Sequence, residues 1–171
     1  MRFLPLFLLL GCLPHTLHAE SALPKPKDAR KAYIMSLGKV YMGIKFVEGN
    51  KDSCAQLYPE YEKANNIAYM HWKKKHTRFL AEFDTYYEQY IKSLAGNDSL
   101  KHKQYINIMN GKFEQQKTMR YADLKKMPAA TSKNTCKNYP QIIESTLNPE
   151  YLYSKEVGFV RQQAVKGFET Q

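Results

Sequence analysis

Cys54 and Cys136 sit in matching surroundings, Ser53-Cys54-Ala55-Gln56-Leu57-Tyr58-Pro59 and Thr135-Cys136-Lys137-Asn138-Tyr139-Pro140. Each follows a hydroxyl residue and precedes a Tyr-Pro pair. The third cysteine, Cys12, belongs to an apolar N-terminal stretch. In an exported chain a lone pair of thiols is normally joined. Redox-active thiols more typically stand close together, as in Cys-x-x-Cys, and these two are far apart. The chemistry expected of them is a structural disulfide. It would close a loop of about 80 residues, worth about 4 to 5 kcal/mol by chain entropy, and staple two helix heads together.

Other reactive side chains are sparse. Past the leader three histidines remain, His71, His76 and His102. Two histidines share a metal on a helix when they are three or four residues apart. His71 and His76 are five apart, about 140° round a helix, so no metal site and no cofactor are expected. His76 reads instead as a hydrogen-bonded histidine at the core edge. The carboxylate pairs Glu60/Glu62 and Glu82/Asp84 are two apart and point to different sides of a helix. The chain carries no Gly-x-Ser-x-Gly elbow, no His-Glu-x-x-His and no phosphate-cradling glycine loop. An acid/base site would have to be assembled by the fold.

Two groups are better suited to binding than to catalysis. Lys73, Lys74 and Lys75 with Arg78 form the densest basic cluster, echoed by Lys101/Lys103 and Lys125/Lys126. Gathered on one face they would attract phosphates or carboxylates, with affinity falling as salt rises. Otherwise they are the solvated face of an amphipathic helix. Tyr86, Tyr87 and Tyr90 are the most concentrated of the 13 tyrosines. Such rings serve either the edge of a core or a recognition surface.

The N-terminal segment predicts export from the cytoplasm. Met1 to Ala19 reads as a signal peptide, with Arg2 before an apolar run from Phe3 to Leu13 and a cut after Ala19. That run is far shorter than the ~20 residues that span a bilayer, and no transmembrane span is expected elsewhere. Leu9-Leu10-Gly11-Cys12 also has the form of a lipoprotein signal, which would put a lipid anchor on Cys12. Loss of Arg2 lowers Lys+Arg from 26 to 25 against 16 Asp+Glu, a net charge near +9. A basic exported protein suits anionic partners and argues against basic ones. Export argues against nucleic acid as a partner.

The elements that must position these groups are helical. Residues 20–29, spaced by prolines, form an extended linker, and residues 30–171 a single helical domain. In the first helix, about residues 30–47, Tyr33, Leu37, Val40, Ile44 and Val47 recur at helical spacing. Further apolar residues nearly encircle it, as in a buried central helix. Glu48-Gly49-Asn50 is expected to break it. A long stripe follows from Leu57 to Leu94, starting near Pro59 and bending about Asn65-Asn66. Gly96-Asn97-Asp98 ends this stripe, and Asp98 caps a segment from 99 to 126, bent or split at Asn110-Gly111. Pro128 to Asn134 reads as a loop. A short helix follows Cys136, and a last one follows Asn148-Pro149 with Tyr153, Val157, Val160, Ala164 and Phe168 in register.

The expected fold is all-α, a disulfide-clamped bundle of four to six helices behind an extended lead-in. The expected function is that of a periplasmic or secreted, non-catalytic interaction protein of the cell envelope. Lys73, Lys74, Lys75, Arg78, Tyr86, Tyr87 and Tyr90 are its candidate binding residues. The alternative is a binder of anionic lipid or envelope polymer. The third reading is an enzyme with a fold-assembled site.

Overall fold

A computed structural model describes residues 26–165 apart from 146. The signal segment, Cys12, the first part of the linker and Phe168 lie outside the described residues. These residues are all-α, with eight α-helices, one 3₁₀ turn and no strand among them. The helices are α1 (Pro26–Leu57), α2 (Glu62–Lys75), α3 (Thr77–Ala95), α4 (Ser99–Lys126), α5 (Ala129–Lys137), α6 (Tyr139–Ser145), α7 (Pro149–Leu152) and α8 (Ser154–Val165). The count exceeds the expected four to six for three reasons. The long second stripe divides at His76, the expected 128–134 loop is helix α5, and the last helix divides at Tyr153.

α1 is the axis of the fold, and every other helix packs against it. Its residues Tyr33, Leu37, Val40 and Val47 are buried, as their spacing requires. The core runs along this helix in consecutive clusters. Near its start, Tyr33, Leu37 and Val40 meet Phe79 and Phe83 of α3 and Val157 and Val160 of α8. Further on, Val47 meets Trp72 of α2 with Tyr139 and Ile143 of α6. At its end, Cys54 meets Leu124 of α4 and Cys136 of α5. A fully buried side chain such as Phe83 contributes about 1.5–3 kcal/mol by leaving water.

Helix ends follow local chemistry at most junctions. The described part of α1 begins at Pro26, so residues 26–29 of the expected linker are helical. Asp98 Oδ1 accepts hydrogen bonds from the Leu100 and Lys101 N–H groups at 2.9 and 3.0 Å. Such a cap is worth about 1 kcal/mol. Gly96 ends α3 at φ +59°, where a side chain would be strained.

The break expected at Glu48-Gly49-Asn50 does not occur. Asn50 is buried; its Nδ2 donates to Phe46 O at 2.9 Å, and its Oδ1 accepts from Arg120 Nε at 2.6 Å. A tertiary partner on α4 thus satisfies a side chain that would otherwise favour a turn. α1 therefore runs on to Leu57, where Pro59 stops it by keeping Tyr58 out of helical geometry (φ −141°, ψ 73°).

Cys54 and Cys136 are joined, 82 residues apart in sequence. The bridge ties the last turn of α1 to the last turn of α5, not two helix heads as expected. Each Tyr-Pro pair closes one helix and opens the next: Pro59 begins the 3₁₀ turn Pro59–Tyr61, and α6 starts at Tyr139.

Candidate functional site

Lys73, Lys74 and Lys75 form the last turn of α2, where positive charge opposes the negative end of the helix dipole. His76, at φ −100° and ψ 18°, separates α2 from α3. Thr77 Oγ1 donates to Lys73 O at 3.1 Å and Lys74 O at 2.8 Å, so it covers carbonyls at the α2 end. Arg78 follows in the first turn of α3. All four cations are exposed. Lys75 pairs with Glu144 of α6, and Lys73 Nζ lies 5.6 Å from the ring centre of Tyr69. Lys74 and Arg78 form no ion pair among the described residues. The junction is thus a solvent-facing cationic ridge.

Beside the ridge lies a groove of about 790 Å³ lined by Arg78, Phe79, Glu82, Glu150 and Arg161, among others. Three helices meet there through one polar network. Arg161 Nε of α8 donates to Glu82 Oε1 of α3 at 2.8 Å, and Arg161 Nη2 donates to Glu82 Oε2 at 2.7 Å. The same Nη2 donates to Glu150 Oε1 of α7 at 3.2 Å. Tyr86 donates its hydroxyl to Glu82 Oε1 at 3.0 Å. His76 Nδ1 stands 3.8 Å from Glu150 Oε2.

The hydrogen bonds from Arg161, helped by Tyr86 and the charge of Arg78, hold the Glu82 carboxyl below its ordinary range. A carboxylate gripped on both oxygens and kept ionised is a poor proton donor. Thr85, also in the groove, donates its hydroxyl to Ala81 O at 2.8 Å. The network acts as a clamp joining α3, α7 and α8, and the groove it lines has charged walls suited to holding a polar group.

The candidate tyrosines are built into the packing. Tyr87 stacks on Tyr41 of α1 with ring centres 4.2 Å apart, and Phe113 of α4 lies 6.2 Å from it. Burial pushes the Tyr87 hydroxyl up to about 12. Tyr90 and Tyr86 pack at the edge of the Tyr33–Val160 cluster. The structure thus brings the four cations together but sets these rings apart from them. Only Tyr86 reaches the groove, through Glu82.

The histidines go separate ways. His76 is buried, its ring centre 5.3 Å from that of Trp72. His71 is exposed, and His102 Nε2 lies 2.9 Å from Glu88 Oε1. Among the described residues no three His, Cys, Asp or Glu side chains gather to hold a metal, and no helix is long and apolar enough to cross a membrane.

Comparison with protein-family models, characterised proteins and solved structures gives no match for this chain. The Glu82–Arg161–Glu150 network is the site's principal feature not read from sequence. Glu82 and Asp84 do face different ways, since Asp84 meets Tyr41 of α1. The only other local signal was Asn148-Pro149, which puts Glu150 in a capped first turn. The 79-residue separation of Arg161 from Glu82 leaves no trace in local pattern.

Proposed function

We propose that this chain is an exported, non-catalytic interaction protein, periplasmic or secreted, that binds an acidic surface of a partner protein. The contact is made by the ridge of Lys73, Lys74, Lys75 and Arg78. One observation carries this reading: the four cations stand exposed around one helix junction, and Lys74 and Arg78 form no ion pair among the described residues, the charge of Arg78 reaching only as far as Glu82 through space. Clustered cations at one helix junction create a local positive potential that steers acidic partners. The joined cysteines agree with an oxidising compartment. A disulfide-clamped bundle would present the ridge on a rigid support.

The test compares wild-type protein with a K73A/K74A/R78A variant on immobilised poly-glutamate over a salt series. The wild type is expected to bind and to elute as salt rises, with affinity falling about tenfold in the variant. Equal retention of both proteins would refute the reading. Retention by phosphatidylglycerol vesicles alone, lost in the variant, would favour the lipid-binding alternative.

A further inference from the structure

The outer face of α2 carries apolar side chains where a solvated helix would carry polar ones. Ile67 is 50% exposed and Met70 59% exposed. At three residues apart they are neighbours on the helix surface. Beside Ile67, a shallow cavity of about 450 Å³ lies between α2 and α6, lined by Ala64, Ile67, Ala68, His71, Pro140 and Glu144. Lys63 and Lys74 bracket this patch along the same face, at spacings of four, three and four residues through Ile67 and Met70. Neither forms an ion pair among the described residues, whereas Glu144, the one acid in the cavity wall, is engaged by Lys75. The outer face of α2 beside the cavity is therefore apolar along its middle, at Ile67 and Met70, and carries a lysine at each end.

We infer that the seam between α2 and α6 is a docking site for an acidic amphipathic helix of a partner protein. The inference rests on the cationic-ridge reading and names the form of the partner. From Lys63 to Lys74 the face is about 16 Å long, three turns of helix. A partner helix with apolar residues at i, i+3 and i+4 would seat one side chain in the cavity and cover Ile67 and Met70. Its flanking carboxylates would meet Lys63 and Lys74. The concave shape distinguishes this occupant from a bilayer. A membrane is engaged by protruding apolar anchors, whereas a cavity is filled by a side chain that enters it. So short a contact fits a weak, transient association.

The probe is a labelled helical peptide of about 14 residues, four turns, with leucines on one face and glutamates elsewhere. One twin has serines for the leucines, and a second has lysines for the glutamates. Binding is read by fluorescence anisotropy on wild-type protein and on I67S/M70S. Both substituted residues are exposed, so the variant keeps its helix content and melting temperature. The leucine–glutamate peptide is expected to bind at least about tenfold tighter than either twin. I67S/M70S should erase its margin over the serine twin while keeping poly-glutamate retention. No margin in the wild type, with poly-glutamate still retained, would overturn the seam and leave the ridge reading standing. A margin that survives in I67S/M70S would place the site elsewhere and also overturn it. So would vesicle binding or self-association of the wild type that disappears in I67S/M70S, since the occupant would then be lipid or a second copy.

Discussion

Gly43 of α1 lies directly under the ring of Tyr153. A Cβ at Gly43 would collide with Cε2 of that ring and come within 3.1 Å of Cδ2 and 3.3 Å of Cζ. Gly38, five residues earlier on the same helix, has nothing within 4 Å of its Cβ position. Two glycines that look alike in sequence thus have opposite roles. Gly38→Ala is expected to stabilise by about 0.5–1 kcal/mol through helix propensity. Gly43→Ala gains the same propensity but forces the ring away, for a net loss of about 1–2 kcal/mol. Urea unfolding of both variants checks the pair, and a loss at Gly38 or a gain at Gly43 would contradict the packing described.

The Cys54–Cys136 bridge is wholly buried and closes a long loop. Reduction, or C54S/C136S, is expected to lower stability by about 4 kcal/mol on chain-entropy grounds. Asn65 of α2 supports the same corner, with its buried Nδ2 donating to Cys136 O at 3.2 Å. Asn65→Ala should therefore cost about 2 kcal/mol through a lost buried hydrogen bond and a small cavity. Thiol titration of the unfolded, unreduced protein should find neither Cys54 nor Cys136 free. Two reactive thiols at these positions would rule the bridge out.

These cases show where sequence is a sufficient guide. The stripe from Tyr33 to Val47, the Asp98 cap and the helix starts at Pro59 and Pro140 rest on local physics: periodicity, an orphan N–H group, a fixed φ. Glu48-Gly49-Asn50 and Asn110-Gly111 carry turn signals just as strong, yet both stay helical. At Asn50 the deciding partner is Arg120, 70 residues away. The long stripe divides at His76 and stays helical at Asn65-Asn66, where the Asn65 side chain donates to Cys136 O in the core. Of the candidate site, the cationic ridge is contiguous in sequence and was legible. The clamp is assembled from Glu82, Glu150 and Arg161 on three helices and was not.

The clamp has a pH signature. The Glu82 carboxyl is held below its ordinary 4.5, chiefly by Arg161. A lowered folded-state value means that its stabilisation is complete above the unfolded value and is lost as pH falls through the folded one. Arg161 is 41% exposed, so solvent screening reduces the bidentate pair to about 1 kcal/mol. Glu82→Gln is expected to lower stability by that amount at neutral pH, a shift of about 2–4 °C in melting temperature. The gap between wild type and variant should close as pH falls below 4.5. A gap that stays constant into acid would mean that the charge of Glu82 contributes nothing.

The opposite sign applies to the buried tyrosines. Burial pushes Tyr33 and Tyr87 up to about 12 from 10.0, and Tyr41, Tyr69 and Tyr139 are raised further. A raised folded-state value contributes stability that is complete below the unfolded value and declines as pH rises through the folded one. Stability should therefore fall steeply above pH 10, with part of the tyrosinate absorbance appearing together with loss of helical circular dichroism. Two substitutions separate the rings. The Tyr139 hydroxyl donates to Val47 O at 3.1 Å, so Tyr139→Phe should cost about 1 kcal/mol. The buried Tyr87 hydroxyl has no partner among the described residues. Tyr87→Phe should therefore be neutral or stabilising by up to about 1 kcal/mol, and should move the alkaline transition to higher pH. If all tyrosines ionised independently near pH 10 with the helices intact, the stacked placement of Tyr87 against Tyr41 would be wrong.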